Sequence, residues 1–423
     1  MRTALRMALV ISLIAAACVG AFLASCAPEK AAKKNNGRQP AEPLYYDQSM
    51  FGYGFGTSLW NYIGGQWKQS DADPFGAAPV AYGGAAFQNS DYGFVWTEQL
   101  LFRYKSGSWS NATPSDMPAG TIVDGVFDVN GGCWIAVTNT SSLNGWLVYI
   151  KPDGSDTVVA GQGLFSNNPV AFISVFVVAG DNTGIHALAA LDGNFEHLRW
   201  DGANVSNEIV IPISYNQSTG DDDASPSPPQ LAAAVVGMRA APSGQIWAIG
   251  WDTSDKYGRG VFWQRQTNPV SWTRIPTTPN NGCVTTTVYR IAFGSEDGAG
   301  YALGGCSHSQ IYWQSGPNQW QEMSAPGSES GGYLLQDMAI LSATHGWIVG
   351  YDAVHNLPLL LVASAQGFQL ANPATSGTGA KMNAVVMFSS KPTAVGDDDF
   401  SPADDDTSPD DDASPAGATS AGD

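Results

Sequence analysis

Residues 333–374 hold four short apolar runs separated by turn formers: 334–341, 346–351, 358–363 and 368–370. Each run is rich in β-branched, aromatic or aliphatic residues and has the length of a strand. Together they read as a four-stranded antiparallel meander. A sheet with two apolar faces cannot bury both by itself, so copies of it must stack. That requirement limits the possible folds more than composition does.

The pattern returns along the chain. Related units occupy 50–69, 79–113, 121–161, 170–212, 230–276 and 285–326, and 381–396 reads as the first two strands of an eighth. A period of about 40 to 60 residues per four-stranded unit is that of propeller blades. Joining 383–388 to 51–69 closes a ring between the chain ends, where an open ring would leave an apolar blade face in water. The expected fold is therefore all-β, a seven-bladed β-propeller, with six or eight blades as alternatives. The second strand of the shared blade is claimed twice, by 52–56 and by 392–396, and only one claim can hold. Composition agrees: 48 Gly, 25 Pro and only 13% charged residues suit many tight turns between half-buried strands. No amphipathic helical pattern follows the first thirty residues.

The runs Gly346-Trp347-Ile348-Val349-Gly350, Ile246-Trp247-Ala248-Ile249-Gly250 and Tyr301-Ala302-Leu303-Gly304-Gly305 recur as second strands. The turns Gly65-Gln66-Trp67, Gly107-Ser108-Trp109 and Asn318-Gln319-Trp320 recur before outer strands. In these features the chain resembles photosystem II assembly-factor-like and sialidase-type (BNR) repeat propellers, over roughly residues 44 to 396. The sialidase Asp box is absent, because Ser106-Gly107-Ser108-Trp109 and the segment 315–320 lack its Asp. The resemblance therefore implies an architecture and no activity.

The N-terminus reads as a targeting segment: Arg2 and Arg6, an apolar stretch 7–23, then Leu23-Ala24-Ser25-Cys26. This resembles the lipobox of bacterial lipoproteins, which implies a lipid on Cys26. Ala27 follows it, so in a Gram-negative host the resemblance implies the outer membrane. The expected plan is a signal peptide (1–25), a flexible tether (26–43) and the propeller (44–396) with a disordered insertion near 218–229. An acidic disordered tail (397–423) follows. The net charge of −19 lies largely in the Asp triplets of 221–223, 397–399, 404–406 and 410–412, so the body is far less acidic than the whole. After Cys18 and Cys26 are set aside, Cys133, Cys283 and Cys306 remain. Cys283 and Cys306 flank an expected hairpin, which favours a disulfide and three buried free thiols equally.

No chemistry-bearing motif emerges. His186, His197, His308, His345 and His355 include no pair at metal-ligand spacing, and neither a nucleophile elbow nor a phosphate loop is present. The expectation is no metal and no cofactor. Seven arginines between Arg103 and Arg290 are scattered, and no motif says which converge. Trp67, Trp109, Trp134, Trp247, Trp272, Trp320 and Trp347 repeat in position, as packing between blades requires. Trp251, Asp252, Tyr257, Tyr351, Asp352 and His355 stand instead where second strands give way to long connections. Aromatic groups beside carboxylates there suit a protein or glycan partner. A hydrogen-bonded turn also accounts for the two Asp. The body lacks a basic stripe, which argues against nucleic acid. The reading is a monomeric, lipid-anchored envelope propeller that binds a protein or glycan. The alternative is a glycoside hydrolase or lyase on the same scaffold, and two carboxylates set in the funnel would favour it.

Overall fold

The computed structural model describes residues 50–389 apart from 57, 64–65, 71–82, 140, 143, 154, 160–169, 183, 217–229, 254–258, 278–285, 306–308, 324–331, 366 and 372–381. The calls on Cys26, Tyr257, Cys283, Cys306, the tether, the insertion, the tail and 392–396 lie outside the described residues. Within them the chain forms seven four-stranded antiparallel sheets arranged as a ring, and no helix. One further two-stranded ladder pairs Tyr215–Asn216 with Gln230–Leu231, at the ends of the undescribed stretch 217–229. The chain is a seven-bladed β-propeller.

Six blades are consecutive meanders, with the first strand against the channel and the last at the rim. Their inner strands are Gly84–Asn89, Thr121–Phe127, Val170–Phe176, Ala233–Ala240, Thr287–Phe293 and Tyr333–Ser342. The remaining blade joins the two chain ends. Its inner strand is Met382–Ser389 and its other three are Met50–Gly56, Leu59–Ile63 and Gln66–Gln69. The double claim on its second strand thus falls to Met50–Gly56, in register Gly52↔Met387 and Gly54↔Val385. Counted from this closing blade, the blades are numbered one to seven in chain order. In the second unit the described inner strand is Gly84–Asn89, and residues 79–82 lie outside the described set.

Most inner strands carry a β-bulge at one equivalent place. The register shifts between Ile122 and Asp124, Phe172 and Ser174, Val235 and Gly237, Val288 and Arg290, and Leu335 and Asp337. The extra residue bends the strand and brings its backbone against the second strand. A Cβ on Gly250 would lie 1.9 Å from the Ala234 carbonyl oxygen, and one on Gly350 2.1 Å from that of Leu334. This close approach explains the glycine that ends the recurring second-strand runs.

The blades are joined by aromatic pairs. Trp347 of blade seven meets Trp67 of blade one at 5.0 Å between ring centroids. Trp247 of blade five meets Trp320 of blade six at 5.5 Å, and Trp134 of blade three meets Trp200 of blade four at 5.0 Å. Trp67, Trp134, Trp247, Trp320 and Trp347 are all buried, as packing between blades predicts. Each such pair adds about 1 kcal/mol beyond the area it buries.

Two outcomes test this account by chemical denaturation. A chain ending before Met382 exposes the edge of Met50–Gly56 and should lose its cooperative transition, whereas one ending at Gly396 should keep it. Gly350→Val should destabilise by about 3 kcal/mol, because the Leu334 carbonyl cannot retreat from a new Cβ. A transition unmoved by Gly350→Val would refute the close-approach reading.

Candidate functional site

Three places bring polar side chains together. The first is the central channel, a cavity of about 330 Å³ bounded by inner-strand residues of blades one, two, three, five, six and seven. A smaller space of about 40 Å³ extends it to Ile173 and Ser174 of blade four. The bulges of blades three, six and seven are followed by Asp124, Arg290 and Asp337, which line the channel together with Arg239. Asp124 Oδ2 accepts from the Val175 backbone N–H at 3.0 Å and meets Arg239 Nη1 at 2.8 Å. Its Oδ1 accepts from Gly125 N–H at 3.0 Å and Arg239 Nη2 at 3.1 Å. Asp337 repeats the device: Oδ2 accepts from Val385 N–H at 3.0 Å, and Oδ1 meets Arg290 Nε at 2.7 Å. The Asp337 charge, and more weakly that of Asp124, holds the Arg290 guanidinium above its ordinary value against burial.

The funnel therefore contains two carboxylates, but their oxygens are engaged by guanidinium groups and by backbone N–H groups of the next blade. A carboxylate whose lone pairs are occupied in this way is a poor nucleophile or base. Its evident work is to tie blade three to blades four and five, and blade seven to blades six and one.

The second place is a cavity of about 250 Å³ at the seam between blades four and five. A row of polar groups crosses it. Arg199 grips Asp181 through Nε and through Nη2, the latter at 2.9 Å. Asp181 Oδ2 accepts from His186 Nε2 at 3.0 Å, and His186 Nδ1 faces His197 Nε2 at 2.9 Å. His197 Nδ1 faces Glu208 Oε2 at 3.5 Å, and Glu208 is held bidentately by Arg265 of the neighbouring blade, Nε at 2.7 Å. Both histidines are 4% exposed. The Arg199 hydrogen bonds, outweighing burial, hold the Asp181 carboxyl well below the usual carboxylate range. Burial alone would raise Glu208, but Arg265 and His197 bring it to about 2. Burial, followed by the charge of His197, lowers His186 to about 4, against the pull of Asp181.

Sequence reasoning found no metal-ligand spacing among the histidines and did not bring His186 and His197 together. A signal was available: Asp192 and Gly193 have φ of +48° and +82°, a two-residue type I′ turn. That turn sets the pairs Leu191↔Asn194, Leu188↔His197 and His186↔Arg199, making the two histidines diagonal neighbours. Glu208 and Arg265 join through the next strand and the next blade, which no local pattern foretells.

The third place holds the residues singled out by sequence. Trp251 and Asp252 end the strand Ile246–Asp252, and Tyr351 and Asp352 end His345–Asp352. They occupy equivalent positions in blades five and seven and so belong to one face of the ring. Asp252 is buried and meets Arg274 Nε at 2.6 Å, a partner 22 residues away on the outer strand. Asp352 Oδ1 accepts from Val354 and His355 N–H, and its Oδ2 contacts His355 Nδ1 at 2.7 Å. The turn explanation thus fits Asp352, while an ion pair accounts for Asp252. Tyr351 O–H donates to Asn356 Oδ1. Trp251 is half-buried on the core shared by blades four and five. The described residues bring no three candidate metal ligands together. Cys133 is buried and free, and burial pushes its thiol well above the ordinary value, so it is not a reactive thiol.

No protein-family model and no curated protein matches the chain. Solved structures do match. YCF48 bound to D1 peptide is 14% identical at a TM-score of 0.50, covering 79% of this chain and 92% of that one. The periplasmic gluconolactonase of Pseudomonas aeruginosa is 12% identical at 0.51, covering 80% and 99%. A protein from Lactobacillus plantarum is 12% identical at 0.54, covering 81% and 100%. At these identities the likeness is one of fold, shared by a peptide-bound protein and an enzyme.

The channel ties carry a prediction. Arg290→Met leaves Asp337 without its counter-charge and should destabilise by about 3 kcal/mol in urea denaturation. Adding Asp337→Asn keeps an acceptor for the Val385 N–H and removes the lone charge, so the double variant should recover much of the loss. A double variant no more stable than Arg290→Met would show that the two groups do not act as a pair.

Proposed function

We propose that the chain is a monomeric binding module carried on the cell envelope by a lipid at Cys26, on the outer membrane in a Gram-negative host. Its blades present a rigid face to a protein or glycan partner. One observation carries the binding part: the channel carboxylates, where a propeller hydrolase or lyase would need reactive groups, are occupied as ties between blades. The paired aromatic and carboxylate positions at the ends of second strands supply a recognition surface, with Trp251 and Tyr351 as its anchors. Asp252 and Asp352 then act by fixing backbone and neighbours, while the exposed His355 ring faces the partner. The peptide bound to YCF48 supports a polypeptide partner over a glycan, through likeness of fold alone.

Mass spectrometry of membrane-extracted protein should find a modified Cys26 at the N-terminus; an intact leader or an unmodified Cys26 overturns the anchor. Envelope extract passed over the purified protein and over Trp251→Ala/Tyr351→Ala should yield a partner that the double variant retains at least about tenfold less well. Equal retention rejects this surface, and turnover of a glycan by the purified protein rejects the non-catalytic reading.

A further inference from the structure

The seam between blades four and five holds titratable groups that the proposed binding face does not use. Their proton count is constrained by geometry. Asp181 only accepts, so His186 Nε2 carries a proton. His186 Nδ1 and His197 Nε2 lie 2.9 Å apart, a separation that requires one proton between them. Two bare nitrogens, or two N–H groups, would repel at that distance. His186 is therefore neutral in this arrangement and accepts from His197. His197 Nδ1 is the one remaining position; it has no hydrogen-bond partner and faces Glu208 at 3.5 Å. Proton uptake there leaves the pair closed. One more proton can enter only on His186 Nδ1, and that places N–H against N–H.

We propose that the His186–His197 pair is a proton-operated latch on the cavity between blades four and five, closed while the facing nitrogens share one proton and opened when each carries its own. The rings have little other freedom. They lie parallel within 10°, Phe176 stacks on both, and Trp272 of blade five stands edge-on to His197 at 6.1 Å. A ring that leaves its partner must press on Trp272 or on the Glu208–Arg265 pair, and both routes load the seam.

The titratable groups facing the pair are Asp181, Arg199 and Glu208 from blade four and Arg265 from blade five; the rest of the lining is Val178, Ser206, Gly244 and Ile246. The two carboxylates stay ionised and the two guanidinium groups stay charged across the relevant range, so none of the four takes up the added proton. His186 is lowered from 6.5 to about 4 in the closed form. Between those values the unfolded chain binds a proton that the closed pair refuses. The closed state is therefore fully favoured above the upper value and loses stability as pH falls toward the lower one.

Hydrogen exchange of the full chain, corrected for intrinsic rates and compared between about pH 7 and about pH 4, tests the latch. Peptides covering 181–199 and 259–276 should lose protection about tenfold in acid, while peptides of the other five blades hold theirs. His186→Phe/His197→Phe keeps the stack on Phe176 and removes every imidazole proton, so its seam should not respond. Uniform loss around the ring, no loss at the seam, or an equal acid response in the variant overturns the proposal. Should the variant fail to fold, nitrogen-15 titration of the parent imidazoles decides. Charging of His186 at the pH where seam protection falls supports the latch, and charging with the seam still protected refutes it.

Discussion

The inner-strand bulge is the local event on which much else depends. One extra residue turns the next side chain into the axis and pushes the strand backbone toward its neighbour. The first effect fills the channel with Asp124, Arg290 and Asp337. The second demands glycine at Gly250 and Gly350, and a milder form of it acts at Gly304, where a Cβ would lie 2.7 Å from the Thr287 carbonyl oxygen. Signature, packing and channel chemistry are thus consequences of one backbone irregularity. The third and fourth blades place Val137 and Ala189 opposite the matching residues Ile122 and Phe172, so the approach is not equally close around the ring.

Closure uses the same interaction as the other seams. Trp347 of blade seven lies over Gly52 and packs on Trp67, and a Cβ on Gly52 would lie 2.4 Å from the Trp347 ring. Gly52 and Trp67 come from the start of the chain, while Met382–Ser389 comes from near its end. The closing blade therefore acquires its second, third and fourth strands early in synthesis and its first strand last. Its contacts have the largest sequence separation in the fold, which makes this seam slow to form.

The ring was legible in the sequence because strands alternate with period two and turn formers divide them. The ends of the shared blade could be matched because 383–388 reads as an inner strand and 51–69 lacks one. The rim and seam sites were far less legible. Asp252 reads as a turn residue until its partner Arg274, on the outer strand, is known. Asp352 does act as a turn residue, and its bond to His355 follows from a separation of three positions. Arg239 reaches Asp124 past the inner strand of blade four, donating also to the Val175 carbonyl at 3.4 Å, a relation set by the radius of the ring and by no spacing along the chain.

The channel and the seam solve the same problem with different chemistry. In the channel a guanidinium lies beside each carboxylate and the pair is complete in itself. At the seam Asp181 and Glu208 each have such an arginine, and between them lies a gap that a direct contact does not bridge. A guanidinium filling it would only donate. An imidazole donates through one nitrogen and accepts through the other, so two rings in series continue a hydrogen-bonded chain from one carboxylate toward the next. Such a bridge needs a definite number of protons, and its integrity depends on that number. The burial that excludes water also penalises the imidazolium form, and so the structure that closes the seam also makes it sensitive to acid.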